Sequence, residues 1–161
     1  MSPVTFPDNC AGTYVLVLEA LEQTRINAGR LGELEIIPGW YAYVGSAFGP
    51  GGVAARCGHH IGISAKPHWH IDYLRAVCRL RAIWFSCHSA KVEHTWSNLV
   101  GKGRGASQPF PGFGASDCDC RSHLYRFSRA PSFPGFRRRL YARLPGQGPL
   151  RRIIVEEDCA Y

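Results

Sequence analysis

No stretch of this chain stays apolar for the roughly 18 residues that a membrane helix needs, so no membrane partner is expected. The opening MSPVTFPDNC lacks both a basic start and an apolar run, so no signal peptide is expected there. A paired cysteine framework is missing as well. The seven cysteines (10, 57, 78, 87, 118, 120 and 159) are odd in number and irregularly spaced. That usage speaks against a secreted disulfide scaffold and implies reduced thiols in the cytoplasm. Acid is absent from residues 121–152, which hold nine arginines. The remainder has ten Lys and Arg against twelve Asp and Glu, so the net charge of +7 comes wholly from this block. An acid-free basic block suits a polyanion partner or a solvated surface. It lacks the apolar face that a membrane-bound helix needs.

What is present suits one domain. A chain of 161 residues with 45% hydrophobic content can bury one core. Residues 12–18 (GTYVLVL) are β-rich and apolar on both faces, which predicts a central strand. Residues 19–28 are polar and ambiguous. Residues 31–37 alternate Leu34 and Ile36 with Glu33 and Glu35, the period of a half-buried strand. Residues 40–44 and 80–85 predict strands, and 124–127 a closing strand. Helices are expected over 53–61, 68–77 and 92–100, with a basic one near 136–144. Residues 101–120 form a long Gly-, Pro- and Ser-rich loop, and such loops are usually functional or disordered. Segments this close in sequence pair antiparallel. The expected class is α+β, a small mainly antiparallel β-sheet (three-stranded core plus extra strands) flanked by helices. Residues 10–130 read as the domain and 131–161 as a basic extension.

The richest stretch is 40–60, WYAYVGSAFGPGGVAARCGHH. A tyrosine-bearing strand stops at Gly45. A glycine turn follows, then a helix with Arg56 and His60 four residues apart on one face. A permanent cation and a titratable base beside tyrosine suit a phosphate-handling site. Tyr14, on the first strand, and Glu93, on the later helix, complete a possible set. Hydrolysis of a phosphodiester needs a positioned water, a proton acceptor and a cation on the developing charge. A lone carboxylate suits Mg²⁺, which keeps most of its waters. Taken singly, each of these residues has an ordinary reading: core tyrosines, a surface arginine, a solvated glutamate.

Gly12-Thr13-Tyr14 and Tyr43-Val44-Gly45, followed in order by Arg56, His60 and Glu93, resemble the GIY-YIG nuclease superfamily. PGWYAYVGSAFGPGG, HWHIDYL and PGFGASDCDCRSHLY are similar to stretches of its Uri-type branch of small predicted endonucleases. The resemblance spans residues 12–128. It implies a DNA endonuclease that uses Mg²⁺ or Mn²⁺, with DNA (single-stranded or branched forms included) as partner and DNA repair as one setting. In that light Tyr43 would activate or orient the water, with Tyr14 as its partner. Arg56 would stabilise phosphate charge, His60 would accept a proton or bind phosphate, and Glu93 would hold the metal. Gly45, Ser46 and His59 would lie against nucleic acid.

Two features depart from that pattern. Tyr14 and Tyr43 are separated by 28 residues, far more than in the better-known nucleases, and the 31–37 strand accounts for the excess. The asparagine that follows the glutamate has no match. Asn98 comes too soon, which leaves Ser116 or Asp117.

A second cluster is Asp117-Cys118-Asp119-Cys120-Arg121-Ser122-His123. Cys118, Cys120 and His123 could supply three zinc ligands, with His68 or His70 as a fourth. Otherwise Asp117 and Ser122 bond backbone amides in a structured loop, and the histidines line the cleft. Arg137, Arg138 and Arg139 are the densest part of the basic block and the expected contacts to DNA phosphates. The aromatics among the arginines would stack on bases or anchor the segment. Two rival readings are a non-catalytic nucleic-acid-binding module of the same fold and a zinc-stabilised interaction protein. Oligomeric state is left open.

Overall fold

Apolar residues on both faces of a strand need cover on both sides, and β1 (Gly12–Ala20) has it. It is the middle strand of a five-stranded antiparallel sheet in this computed structural model, which describes residues 9–115 and 120–156. The strand order is β6 (Leu124–Phe127), β4 (Gly39–Ala47), β1, β5 (Arg79–Cys87), β7 (Arg151–Ile154). β2 (Thr24–Asn27) and β3 (Glu33–Ile36) pair only with each other and form a separate hairpin. Four helices complete an α+β fold: α1 (Gly52–Ile61), α2 (His70–Arg75), α3 (Glu93–Gly101) and α4 (Phe133–Arg143). Among the described residues no helix is long and apolar enough to cross a membrane.

The pleat of β1 sorts its side chains between two cores. Tyr14, Leu16 and Leu18 join Tyr41, Tyr43, Ile83 and Phe85 on one face, with Ile71, Leu74, Phe110 and Phe113 packed over them. Val15 and Val17 join Ala42, Val44 and Trp84 on the other, under Trp96, Leu99, Phe136 and Leu140. The register against β5 slips between Val17 and Leu18, so Leu80 and Ile83 face the same side although they are an odd number of residues apart.

Residues 131–161 stand apart by composition, but their described part is built into the fold. Phe136 and Leu140 of α4 are fully buried, and β7 pairs with β5. α4 starts earlier than the sequence predicts because Ser132 accepts a hydrogen bond from the Gly135 N–H. α2 is shorter than the predicted 68–77. The Asp72 carboxylate accepts from the N–H groups of His68 and Trp69, which fixes the entry to this helix (2.9 and 3.0 Å). The expectation of thiols throughout needs correction. Cys10 and Cys87 form a disulfide, with Cα atoms 5.7 Å apart. The two flank Gly12 of β1, a neighbourhood that cysteine spacing cannot reveal.

Candidate active site

A cavity of about 420 Å³ opens on the Tyr14 face of the sheet. Its lining includes Tyr14, Tyr43, Gly45, Ser46, Arg56 and Glu93, contributed by β1, β4, α1 and α3. Residues up to 109 positions apart in sequence, from Tyr14 to His123, therefore share one cleft. The cleft depends on a missing side chain. The Tyr14 ring lies directly over Gly45, where any Cβ would collide with the phenol. Gly114, at φ +68°, similarly brings loop backbone against the Tyr43 ring. The Gly114 N–H donates to Nδ1 of His70 (2.9 Å), which holds the loop down at that point.

Behind Tyr14 stands His60, 1% exposed, with Nε2 at 2.8 Å from the phenol oxygen. Among the described residues its buried Nδ1 has no hydrogen-bond partner. Burial, then the neighbouring His59, pushes its pKa down to about 3, against the opposing pull of Asp72. His60 is therefore a neutral imidazole at physiological pH. Burial also raises the pKa of Tyr14, helped by Tyr43 and opposed by Arg56. The Tyr43 pKa rises by burial and by the Glu93 carboxylate. Both phenols keep their protons near neutrality, so they can donate hydrogen bonds into the cleft.

This neutral histidine has a cost in acid. Unfolded, an imidazole takes a proton near pH 6.5, whereas folded His60 takes none until about pH 3. Its contribution to stability is present above the unfolded value and declines below it, at about 1.4 kcal/mol per pH unit. Urea unfolding from neutral pH down to about 4 should show that decline, and a His60→Gln protein should show a shallower one. Parallel acid limbs would reject the assignment.

Arg56 lies over Trp69, its Cζ 4.2 Å from the ring centre. A stacked guanidinium keeps its edge available for a phosphate while the ring restrains its motion. His59, expected against nucleic acid, is turned toward Asp72 and Trp69. Its Nε2 is 2.8 Å from the Asp72 carboxylate, and its ring meets Trp69 edge-on. Asp72 so organises three neighbours: His59, and the backbone of His68 and of Trp69. Burial works against ionisation of Asp72, but the hydrogen bonds from His68, Trp69 and His59 prevail and lower its pKa.

On the opposite wall Glu93 places Oε1 at 2.9 Å from Nδ1 of His123. Among the described residues that histidine, and not Asn98, is the side chain that meets Glu93. Asn98 is exposed and lines a separate shallow depression. Ser116, Asp117 and Cys118 lie outside the described residues. His68, His70, His94 and His123 all line the main cavity. The zinc set expected from sequence comes out differently. Cys120 and His123 group with His94, and neither His68 nor His70 belongs to that group.

The model of the family described as Domain of unknown function DUF123 matches residues 13–143. The chain belongs to this family. No curated protein and no solved structure matches it. The matched residues of this DUF123 member run from Thr13, beside Tyr14, through the whole of α4.

The arginines of this DUF123 member take up different positions. Arg139 donates through Nε to the Leu99 carbonyl (2.9 Å) and so caps α3. Arg137 leans over Tyr141, 5.8 Å from the ring centre. Arg138 and Arg139 line a second cavity of about 550 Å³, together with Arg104 and Arg129. Trp84, Val100 and Phe127 also line it and belong to the Val15 core. It therefore sits on the far face of the sheet from Tyr14 and Tyr43. Phe133 and Phe136 pack on Trp84, with ring centres 5.4 and 5.5 Å away, so these aromatics anchor α4.

Sequence reasoning passes over Trp69, Asp72, Arg75 and His94. Only His94, next to Glu93 in the chain, carries a signal visible without the fold.

Proposed function

We propose that this chain is a metal-dependent nuclease of the GIY-YIG type, with DNA as substrate and the Tyr14–Tyr43–Arg56–Glu93 cleft as its active site. The observation that carries this reading is the convergence of two protonated tyrosines, a stacked arginine and a carboxylate on one polar cavity. The Glu93 carboxylate and the surrounding open volume fit Mg²⁺ or Mn²⁺, which bind through one or two protein oxygens and several waters. Such an ion, when bound, would neutralise charge on the phosphate.

The chain's own residues supply the rest. Arg56 binds a non-bridging phosphate oxygen. Tyr43 donates into the cleft and orients the attacking water or the phosphate. Tyr14 is held by His60, whose Nε2 is 2.8 Å from the phenol oxygen. An imidazole that burial keeps unprotonated until about pH 3 does not store a proton at neutrality, so His60 positions Tyr14 and the released proton leaves through water in the cleft. β4 runs past Gly45 to Ala47, and the Tyr14 ring covers Gly45, so half-buried Ser46 in the cavity lining is the neighbour left for a sugar–phosphate backbone. The buried free thiols of Cys57 and Cys78 support a cytoplasmic setting for this activity.

The deciding experiment is cleavage of single-stranded, duplex, flap and nicked DNA with Mg²⁺ or Mn²⁺. Cutting of at least one form, abolished by chelation, is expected. If no form is cut with either ion, the enzyme reading fails.

The arginine-lined cavity favours a second reading, a nucleic-acid-binding module, and is compatible with the first. Four arginines facing one cavity form a cradle for phosphate. Replacing Arg104, Arg129 and Arg138 together by Ala should weaken DNA binding and lower its salt slope by about 1 for each phosphate no longer neutralised. An unchanged slope would remove this face from the interface. Truncation after Ala130 is not a clean test, because it takes Phe136 and Leu140 out of the core.

A further inference from the structure

We propose that His94, Cys120 and His123 form a binding site for a thiophilic divalent cation of the Zn²⁺ type, at the wall of the tyrosine cavity. One ligand atom from each residue lies within 4.8 Å of the others. His94 Nδ1 is 2.9 Å from Cys120 Sγ, and the two imidazole rings are 5.8 Å apart. Ligand atoms around a tetrahedral zinc stand roughly 3.5 Å apart, so modest side-chain rotation closes this group on an ion.

The donor chemistry selects the metal. One thiolate and two imidazoles suit Zn²⁺, whereas Mg²⁺ prefers oxygen alone. The surroundings are of the right kind too. Glu93 lies 2.9 Å from His123 Nδ1, the carboxylate contact that commonly orients a ligating histidine. His94 comes from the first turn of α3, while Cys120 and His123 lie on the approach to β6. An ion here would tie the helix that carries Glu93 to the segment that leads into the sheet edge. Three protein ligands leave a fourth position for water, and both histidines line the cavity. Binding would release the thiol proton of Cys120 to solvent.

The other cluster of ligating groups, His59, His60 and Asp72, has its carboxylate taken up by the backbone of His68 and Trp69. It also lacks a thiol. The proposed site does not depend on whether the cleft cuts DNA.

The test is titration of the demetallated full-length chain with Co²⁺ in the presence of a reductant. Wild type should show a thiolate-to-cobalt charge-transfer band and intense visible bands, both abolished by added Zn²⁺. Cys120→Ser should lose the charge-transfer band. His94→Ala, at an exposed position, should bind Co²⁺ at least about tenfold more weakly with its circular dichroism unchanged. Cys118→Ser should keep the band. No band in wild type overturns the proposal. So does a band that survives Cys120→Ser, or one lost in Cys118→Ser and unaffected in His94→Ala. If Cys120→Ser does not fold, the His94→Ala affinity decides.

Discussion

Glu93→Gln should lower metal-dependent DNA cleavage by about a hundredfold or more. The metal's charge stabilisation is worth several kcal/mol, and each 1.4 kcal/mol is about a factor of ten in rate. Gln preserves the length of the side chain and an oxygen for the contact with His123. What it removes is the negative charge, and with it the ability to hold a hard cation in the cleft. Glu93 is also one cause of the raised Tyr43 pKa, so the substitution leaves that phenol protonated and slightly less perturbed. The loss should therefore lie in turnover. DNA binding measured in a chelator should stay close to wild type, or tighten as a negative charge leaves the cleft. A tenfold higher Mn²⁺ concentration should recover part of the rate if the remaining waters still hold the ion. Wild-type cutting by Glu93→Gln would sink the assignment of the metal to this residue. Equal loss of DNA binding and cleavage would instead mark Glu93 as a structural element of α3.

Arg75→Ala should cost about 3 kcal/mol or more of stability, the largest single effect expected outside the apolar cores. Arg75 is 3% exposed and donates to three backbone carbonyls: His60 (2.7 Å), Ile61 (2.8 Å) and Cys78 (3.0 Å). The first two belong to the last turn of α1, whose carbonyls have no partner within the helix. A guanidinium at that end satisfies them and complements the helix dipole. Truncation strands several buried acceptors at about 1–3 kcal/mol each. For a domain of this size the melting temperature should fall by roughly 6–12 °C. Lys reaches only one carbonyl well, so Arg75→Lys should recover less than half of the loss. Urea unfolding measures both. A change of less than about 1 kcal/mol for Arg75→Ala would show that water replaces the bonds at little cost. The consequence reaches the cleft, because the His60 carbonyl is one of the three acceptors. A loosened α1 end would let His60 drift from Tyr14 and slow cleavage without touching substrate.

The tyrosine cleft and the arginine cavity occupy opposite faces of one sheet, so a single straight track for DNA does not join them. If the proposed function holds, Arg104, Arg129 and Arg138 would form a second contact zone, reached by a bent or single strand around an edge.

Local sequence was enough for β1, β4, β5 and β6, because apolar alternation and glycine punctuation are short-range signals. The residues 12–18, 40–44, 80–85 and 124–127 all proved to lie in strands. β2 stayed hidden because TRIN is polar, and only Ile26 of it is buried. β7 stayed hidden because its four residues form an edge strand with little burial. Tyr14, Tyr43, Arg56 and Glu93, grouped in the sequence only by their resemblance to the GIY-YIG pattern, line one cavity, and His60 lies behind Tyr14. What the sequence alone determined, then, was which residue types are available and on which element each stands. The tertiary structure decided what they touch. It set His60 behind Tyr14, turned His59 onto Asp72 and put α4 on the far face. It joined Cys10 to Cys87, and it grouped Cys120 and His123 with His94. These outcomes depend on strand register and on contacts between residues far apart in the chain. A one-residue change in register would turn Tyr14 from the cleft to the other core, and no local pattern records that choice.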